Sequence, residues 1–106
     1  MFNLFFKNKI NFDEALEEFK NTENAFLIDV REKDEYRQGH VPKSINVPLS
    51  NIDKIKNVVK DKNAKLYIYC LSGVRSRQAC HYFKTLGYSN TKDLGGINSY
   101  SGRIER

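Results

Sequence analysis

Apolar residues recur along this chain with two alternating periods. In "NFDEALEEF", Phe12, Leu16 and Phe19 fall on one face of a helix. Asn11 stands where an N-cap belongs, and Glu14, three residues on, completes a capping-box pattern. "AFLIDV" is a short continuous apolar run of the kind that forms a strand buried on both faces. "EKDEYRQGH" predicts a brief helix stopped near Gly39. "VPKSINVPL", with prolines around Ile45 and Val47, predicts a short strand bounded by turns. Ser50 is the expected cap of a helix running to Val59, with Ile52, Ile55 and Val59 as its apolar stripe. "AKLYIY" predicts a further strand. Val74 to Leu86 predicts a helix with Ala79, Phe83 and Leu86 inside and Gly87 as its stop. "NTKDL" is a last short strand before a terminal turn in "GGINSY". Phe2 to Phe6 is either a first strand or a segment laid on the core. Strands alternating with helices imply an α/β layer fold with a largely parallel sheet.

Composition narrows the class. A chain of 106 residues suits one domain, residues 1–106, and 40% hydrophobic with 29% charged residues suits a soluble globular protein. No run approaches the roughly 20 apolar residues of a membrane span. "MFNLFFKNKI" has neither a charged n-region nor a small-residue cleavage site, so the expected compartment is the cytoplasm and no membrane partner is expected. Two cysteines, Cys70 and Cys80, make no disulfide framework; they point to metal binding, catalysis or plain packing. The net charge of +5 is dispersed. It reads as solvated surface that mildly favours small anionic substrates. Zinc-finger spacing and an aromatic RNA-binding motif are absent, so no nucleic-acid partner is expected.

The candidate chemistry sits in "YCLSGVRSRQAC". In parallel sheets, ligands bind beyond the carboxyl ends of the strands. Cys70 falls at such an end, and Cys70 to Arg75 connect it to a helix start. Leu71, Ser72, Gly73, Val74, Arg75 and Ser76 offer a row of backbone N–H groups where helical amides lack partners and the dipole favours negative charge. Gly73 permits the sharp backbone that such a cradle needs. A thiolate placed there is stabilised, and the same amides can hold an oxyanion. The competing reading is a buried cysteine that merely precedes a strand-to-helix turn, since free cysteine is among the most buried residue types. Cys80, about 15 Å along a helix from Cys70 at 1.5 Å per residue, reads as core. Cys70, Cys80, His40 and His81 fit no standard zinc spacing.

Three ordered motifs carry a resemblance. "LIDVREKDEYRQGHVPKSINVPL" resembles the first signature of the rhodanese-like domain family: an apolar strand, Asp-x-Arg, Glu-aromatic-x-x-Gly-His and a proline-flanked strand. "YIYCLSGVRSRQACHYFKTLGY" is similar to that family's active-site strand, loop and helix, and "DLGGINSY" to its closing strand. The resemblance runs from about Asn11 to Tyr100. It implies a three-layer fold with a five-stranded, mainly parallel sheet flanked by helices. It also implies sulfur transfer through a Cys70 persulfide, from a small anionic donor such as thiosulfate to cyanide or a thiol, with a sulfur-relay protein as a further partner. No cofactor or metal is implied.

Loop length separates this reading from a phosphatase or arsenate reductase, whose related loops run Cys-x5-Arg; here four residues separate Cys70 from Arg75, and Arg77 does not restore the longer register. A non-enzymatic persulfide carrier or partner-binding module on the same fold is the second reading. Arg75 either faces the donor or turns back on Asp29 or Glu35. Asp29 and Arg31 read as supporting residues, with Arg31 paired to Glu35. Ser72 and Ser76 offer hydroxyls to substrate oxygen, or Ser76 makes a helix-start bond. His40 reads as structural, and His81 as outward-facing without a role. Lys43-Ser44 stands where the family more often has Gly-Ala, at a turn that could border the site, and Tyr100 where it often has Trp.

Overall fold

From Asn11 onward, helices and strands alternate: α1 (Phe12–Lys20), β1 (Ala25–Asp29), α2 (Lys33–Gln38), β2 (Ile45–Asn46), a 3-10 segment (Leu49–Lys54) running into α3 (Ile55–Val58), β3 (Lys65–Cys70), α4 (Val74–Thr85), β4 (Thr91–Gly96) and a 3-10 turn (Ile97–Ser99). The computed structural model describes residues 11–106. The strands pair in the order β2–β1–β3–β4, all parallel. The described residues thus hold four strands where five were implied, and the Phe2–Phe6 candidate lies outside them.

β3 is central, which explains its unbroken apolar run: Leu66 through Cys70 are all buried. Alternation sends Leu66, Ile68 and Cys70 to one face, packed with Ile55, Val59, Ala79, Phe83 and Tyr88. Tyr67 and Tyr69 point to the other face, packed with Phe12, Leu16, Leu27, Val41 and Leu94. Helix α1 covers this second face, while α3 and α4 cover the first. The α1 capping box forms as its sequence specifies: the Glu14 amide donates to Asn11 Oδ1 at 2.8 Å, and the Asn11 amide to Glu14 Oε1 at 3.5 Å.

One helix differs from expectation. Ser50 caps nothing; its Oγ donates to Glu32 Oε1 at 2.6 Å. Pro48 takes the cap position, and Asn51 leaves helical geometry at φ −138° and ψ 50°. Regular α-helix therefore spans only Ile55–Val58. Ile55 and Val59 are buried as the stripe predicted, with Ile52 half-buried beside them.

Two polar clusters fasten the layers at opposite ends of the sheet. Near the amino ends of the strands, the Glu18 carboxylate accepts from Tyr67 Oη at 2.6 Å and from Lys65 and Lys92, each at 2.9 Å. These partners, Tyr67 first, hold its pKa down to about 2. At the carboxyl end of β1, Asp29 is fully buried and accepts from the Arg31 amide at 2.9 Å, Nε at 3.1 Å and Nη2 at 2.7 Å. Arg31 Nη2 also donates to Gly39 O at 2.7 Å. The expected Arg31–Glu35 ion pair is therefore replaced by Asp29–Arg31, because a carboxylate two residues back reaches both the amide and the guanidinium.

Lys43 adopts φ +75°, a left-handed conformation that costs a non-glycine residue about 1–2 kcal/mol. That is a physical reason for glycine to be preferred at this turn. Ser44 contributes in exchange: its buried Oγ donates to Val41 O at 2.7 Å and accepts from Tyr69 Oη at 3.1 Å. Tyr100 packs on Phe12, with ring centroids 5.5 Å apart.

Removing the cation from the buried pair tests its role. Arg31→Leu strands the Asp29 carboxylate and should cost about 3–5 kcal/mol in urea unfolding, while replacing both partners with apolar residues should cost less. For Glu18 the sign follows from its depressed folded pKa. The folded state binds fewer protons than the unfolded one between pH 4.5 and about 2, so the stabilisation is complete above that window and is lost as pH falls through it. Glu18→Gln should lower neutral-pH stability by about 1 kcal/mol, because solvent screens the cluster, and should flatten stability against pH across the same window.

Candidate active site

The loop after β3 is shaped by three glycines. Gly73, the residue before α4, turns the chain at φ +107° and lies against Gly95, where an added Cβ would stand 3.6 Å from the Gly95 Cα. In β4 the register with β3 slips between Ile68 and Tyr69, so that Tyr69 pairs with Gly95 and Cys70 with Gly96. This bulge is made by Gly95 at φ +88°, whose amide donates to Asp93 Oδ1 at 2.8 Å. Gly96 runs directly under the loop. A Cβ there would strike Leu71 O and stand 2.7 Å from Ser72 Cα. The Asn98 amide donates to Leu71 O at 3.3 Å and ties the loop to the chain beyond β4.

Within this frame, two backbone amides converge on the Cys70 sulfur: Gly73 N–H at 3.0 Å and Ser76 N–H at 3.2 Å. Gly73 caps the amino end of the twelve-residue α4 and Ser76 lies in its first turn, where the dipole adds to their field. Cys70 as a residue is only 1% exposed, so the thiol is buried as the packing alternative expects, and two amides are directed at its sulfur as the cradle alternative expects. Surface grooves elsewhere, such as those along α1 and α2, do not include it.

The remaining candidates divide. Ser76 is buried, and its Oγ makes the helix-start bond to Gly73 O at 3.1 Å. Leu71, Ser72 and Val74 face outward, with Leu71 44% and Val74 57% exposed. Arg75 turns back. Its Nη1 and Nη2 donate to Glu35 Oε1 at 2.6 Å and Oε2 at 3.0 Å. Glu35, on α2, has its pKa lowered to about 2, chiefly by this bond. Asp29 and Arg31 hold each other, and Arg31 Nη2 also holds the Gly39 carbonyl at the end of α2. His40 Nδ1 lies 2.8 Å from Tyr36 O, and its ring stacks on Tyr36 at 3.8 Å. His81 is exposed on the outer side of α4, beside Arg77 and Tyr82. Lys43 lines a groove with Leu16 and Tyr100 under α1, not the loop, so its charge does not border Cys70. Burial pushes the Cys80 thiol up to about 12.

A model of the rhodanese-like domain matches residues 12–103. The chain belongs to the rhodanese-like domain family. Among its curated relatives, "Thiosulfate sulfurtransferase PspE" of Escherichia coli is 38% identical over 71 residues, which cover 66% of this chain and 68% of that one. "Adenylyltransferase and sulfurtransferase uba4" of Ogataea parapolymorpha is 32% identical over 92 residues. That match covers 86% of this chain and 24% of the yeast protein, so the chain spans about a quarter of that relative's length. The solved structure "rhodanese with anions from E. coli" superposes with a TM-score of 0.72 at 32% identity, covering 77% of this chain and 98% of its own. The rhodanese-like family thus accounts for the α/β sheet, and its named relatives include sulfurtransferases.

In "DLGGINSY" the double glycine stands in the closing strand, and the expected site, Cys70 with Leu71 to Ser76, does not include it. Its signal was there: two adjacent glycines ending a strand mark a close backbone approach. Gly96→Ala should displace the loop, lower stability by about 1–3 kcal/mol in thermal or urea unfolding and speed alkylation of Cys70. Gly95→Ala meets no atom within 4 Å and pays only for its positive φ, about 1–2 kcal/mol.

Proposed function

We propose that this chain is a sulfurtransferase that carries sulfane sulfur as a persulfide on Cys70, with Leu71 to Ser76 as its active-site loop. The observation that carries this reading is the pair of amides from Gly73 and Ser76 directed at the Cys70 sulfur. Names of relatives such as the E. coli thiosulfate sulfurtransferase support it. The Cys70 thiolate attacks the outer sulfur of thiosulfate. The S–S bond of the donor breaks, its electron pair leaves with sulfite, and Cys70–S–S⁻ remains. Cyanide or a thiolate then attacks the outer sulfur, releases thiocyanate or a new persulfide, and restores the thiolate. Splitting one transfer into two displacements is covalent catalysis. Preorganised N–H groups favour the negative charge that stays on the loop side in both steps. Neither step needs a general base, which leaves His40 to its packing on Tyr36. The loop has four residues between Cys70 and Arg75, one fewer than the phosphatase-like pattern.

A second reading, a persulfide carrier that docks a protein acceptor, is favoured by the two apolar side chains, Leu71 and Val74, exposed at the loop.

Thiocyanate release from thiosulfate and cyanide, together with intact mass after donor treatment, separates the readings. The wild type should turn over and gain one sulfur atom; Cys70→Ala should do neither, and Cys80→Ala both. Equal turnover by Cys70→Ala would remove the thiol from the mechanism. Persulfide formation without release to cyanide would favour the carrier.

A further inference from the structure

We propose that Glu35 is a specificity-determining residue, which withholds the loop's cation from the sulfur donor by holding Arg75 in a two-point ion pair. This inference rests on the sulfurtransferase reading and deepens it. Cys70 to Arg75 contain one cationic side chain, Arg75. Both of its terminal nitrogens are engaged by the two oxygens of Glu35, the geometry in which a guanidinium and a carboxylate bind best. The carboxylate is itself held in place, since Glu35 Oε1 also accepts the Glu32 amide at 3.0 Å. Glu35 and Glu32 are the carboxylates that act on Arg75, which stands five residues after Cys70 in the same loop. Arg31 adds a weaker electrostatic pull on Glu35.

The one cation of the Cys70–Arg75 loop is therefore electrically compensated. A donor approaching the cradle meets amides directed at the sulfur and the apolar side chains of Leu71 and Val74. Its own negative charge gains little from an arginine already paired. A dianion such as thiosulfate consequently has a smaller advantage over a less charged donor than an open arginine would confer. Neutralising Glu35 should expose that cation and shift the site's preference toward anions.

The test compares two reagents that perform the same alkylation and differ in charge: neutral iodoacetamide and anionic iodoacetate. In a Cys80→Ala background, Glu35→Gln should raise the iodoacetate-to-iodoacetamide rate ratio at Cys70 about three- to fivefold, the size of one partly exposed ion pair. The gain should shrink with added salt and vanish in Glu35→Gln/Arg75→Met. The KM for thiosulfate should fall by a similar factor. Glu35→Asp keeps the charge but cannot reach both nitrogens, and should give a smaller rise; it decides the matter if Glu35→Gln does not fold by circular dichroism. An unchanged or lowered ratio in the folded variant overturns the proposal. Should the ratio rise while no variant transfers sulfur, the proposed reaction fails and the charge gating of Cys70 by Glu35 stands.

Discussion

Two N–H groups directed at one sulfur organise the carboxyl end of this sheet. Gly73 and Ser76 can both reach Cys70 only if β3 ends there, the chain reverses at once and α4 begins within four residues. Each condition has a physical source. β3 brings Cys70 to the α4 face through strand alternation. Gly73 supplies the positive φ that reverses the chain. The bulge at Gly95 and the missing side chain of Gly96 leave room for the loop to lie on β4. The cradle is thus a property of two strand ends and the helix between them, and no single residue confers it.

Charge around this cradle alternates in sign. Asp29 holds Arg31, Arg31 acts on Glu35, Glu35 holds Arg75, and Arg75 stands in the same loop as Cys70. The series crosses from β1 to α2 to the loop and joins segments far apart in the chain. Its inner pair is buried and its outer pair about one-third exposed. The inner pair therefore serves stability, where an unpaired charge is costly. The outer pair contributes less to stability and more to what an incoming anion encounters.

The Glu18 cluster works at the other end of the sheet, where it ties α1 to β3 and β4 through Tyr67, Lys65 and Lys92. With both ends fastened, the loop after β3 stands on a braced carboxyl end of the sheet. The Lys43–Ser44 turn shows how the chain accommodates a departure from its family's pattern. A left-handed lysine is unfavourable, yet the serine beside it completes a buried network with Val41 and Tyr69.

Local chemistry made much of this protein readable from its residues alone. The α1 capping box, the β3 apolar run, the α4 boundaries and the Cys-x4-Arg loop all depend on neighbours within a few positions, and each has a direct physical signature. The Ser50 helix misled because Pro48 and Asn51 changed the backbone that a capping pattern presumes. Partner choice was not local. Whether Arg75 would meet Glu35, and whether Arg31 would turn to Asp29 instead, depended on how α2 and β1 stand against the loop. The placing of Gly96 beneath Leu71 and Ser72 likewise arose from strand register, which pairs residues 26 positions apart. Sequence determined which elements form and which thiol stands at a strand end. Tertiary structure decided which charges compensate one another, because an ion pair needs only proximity in space and leaves no periodic trace along the chain.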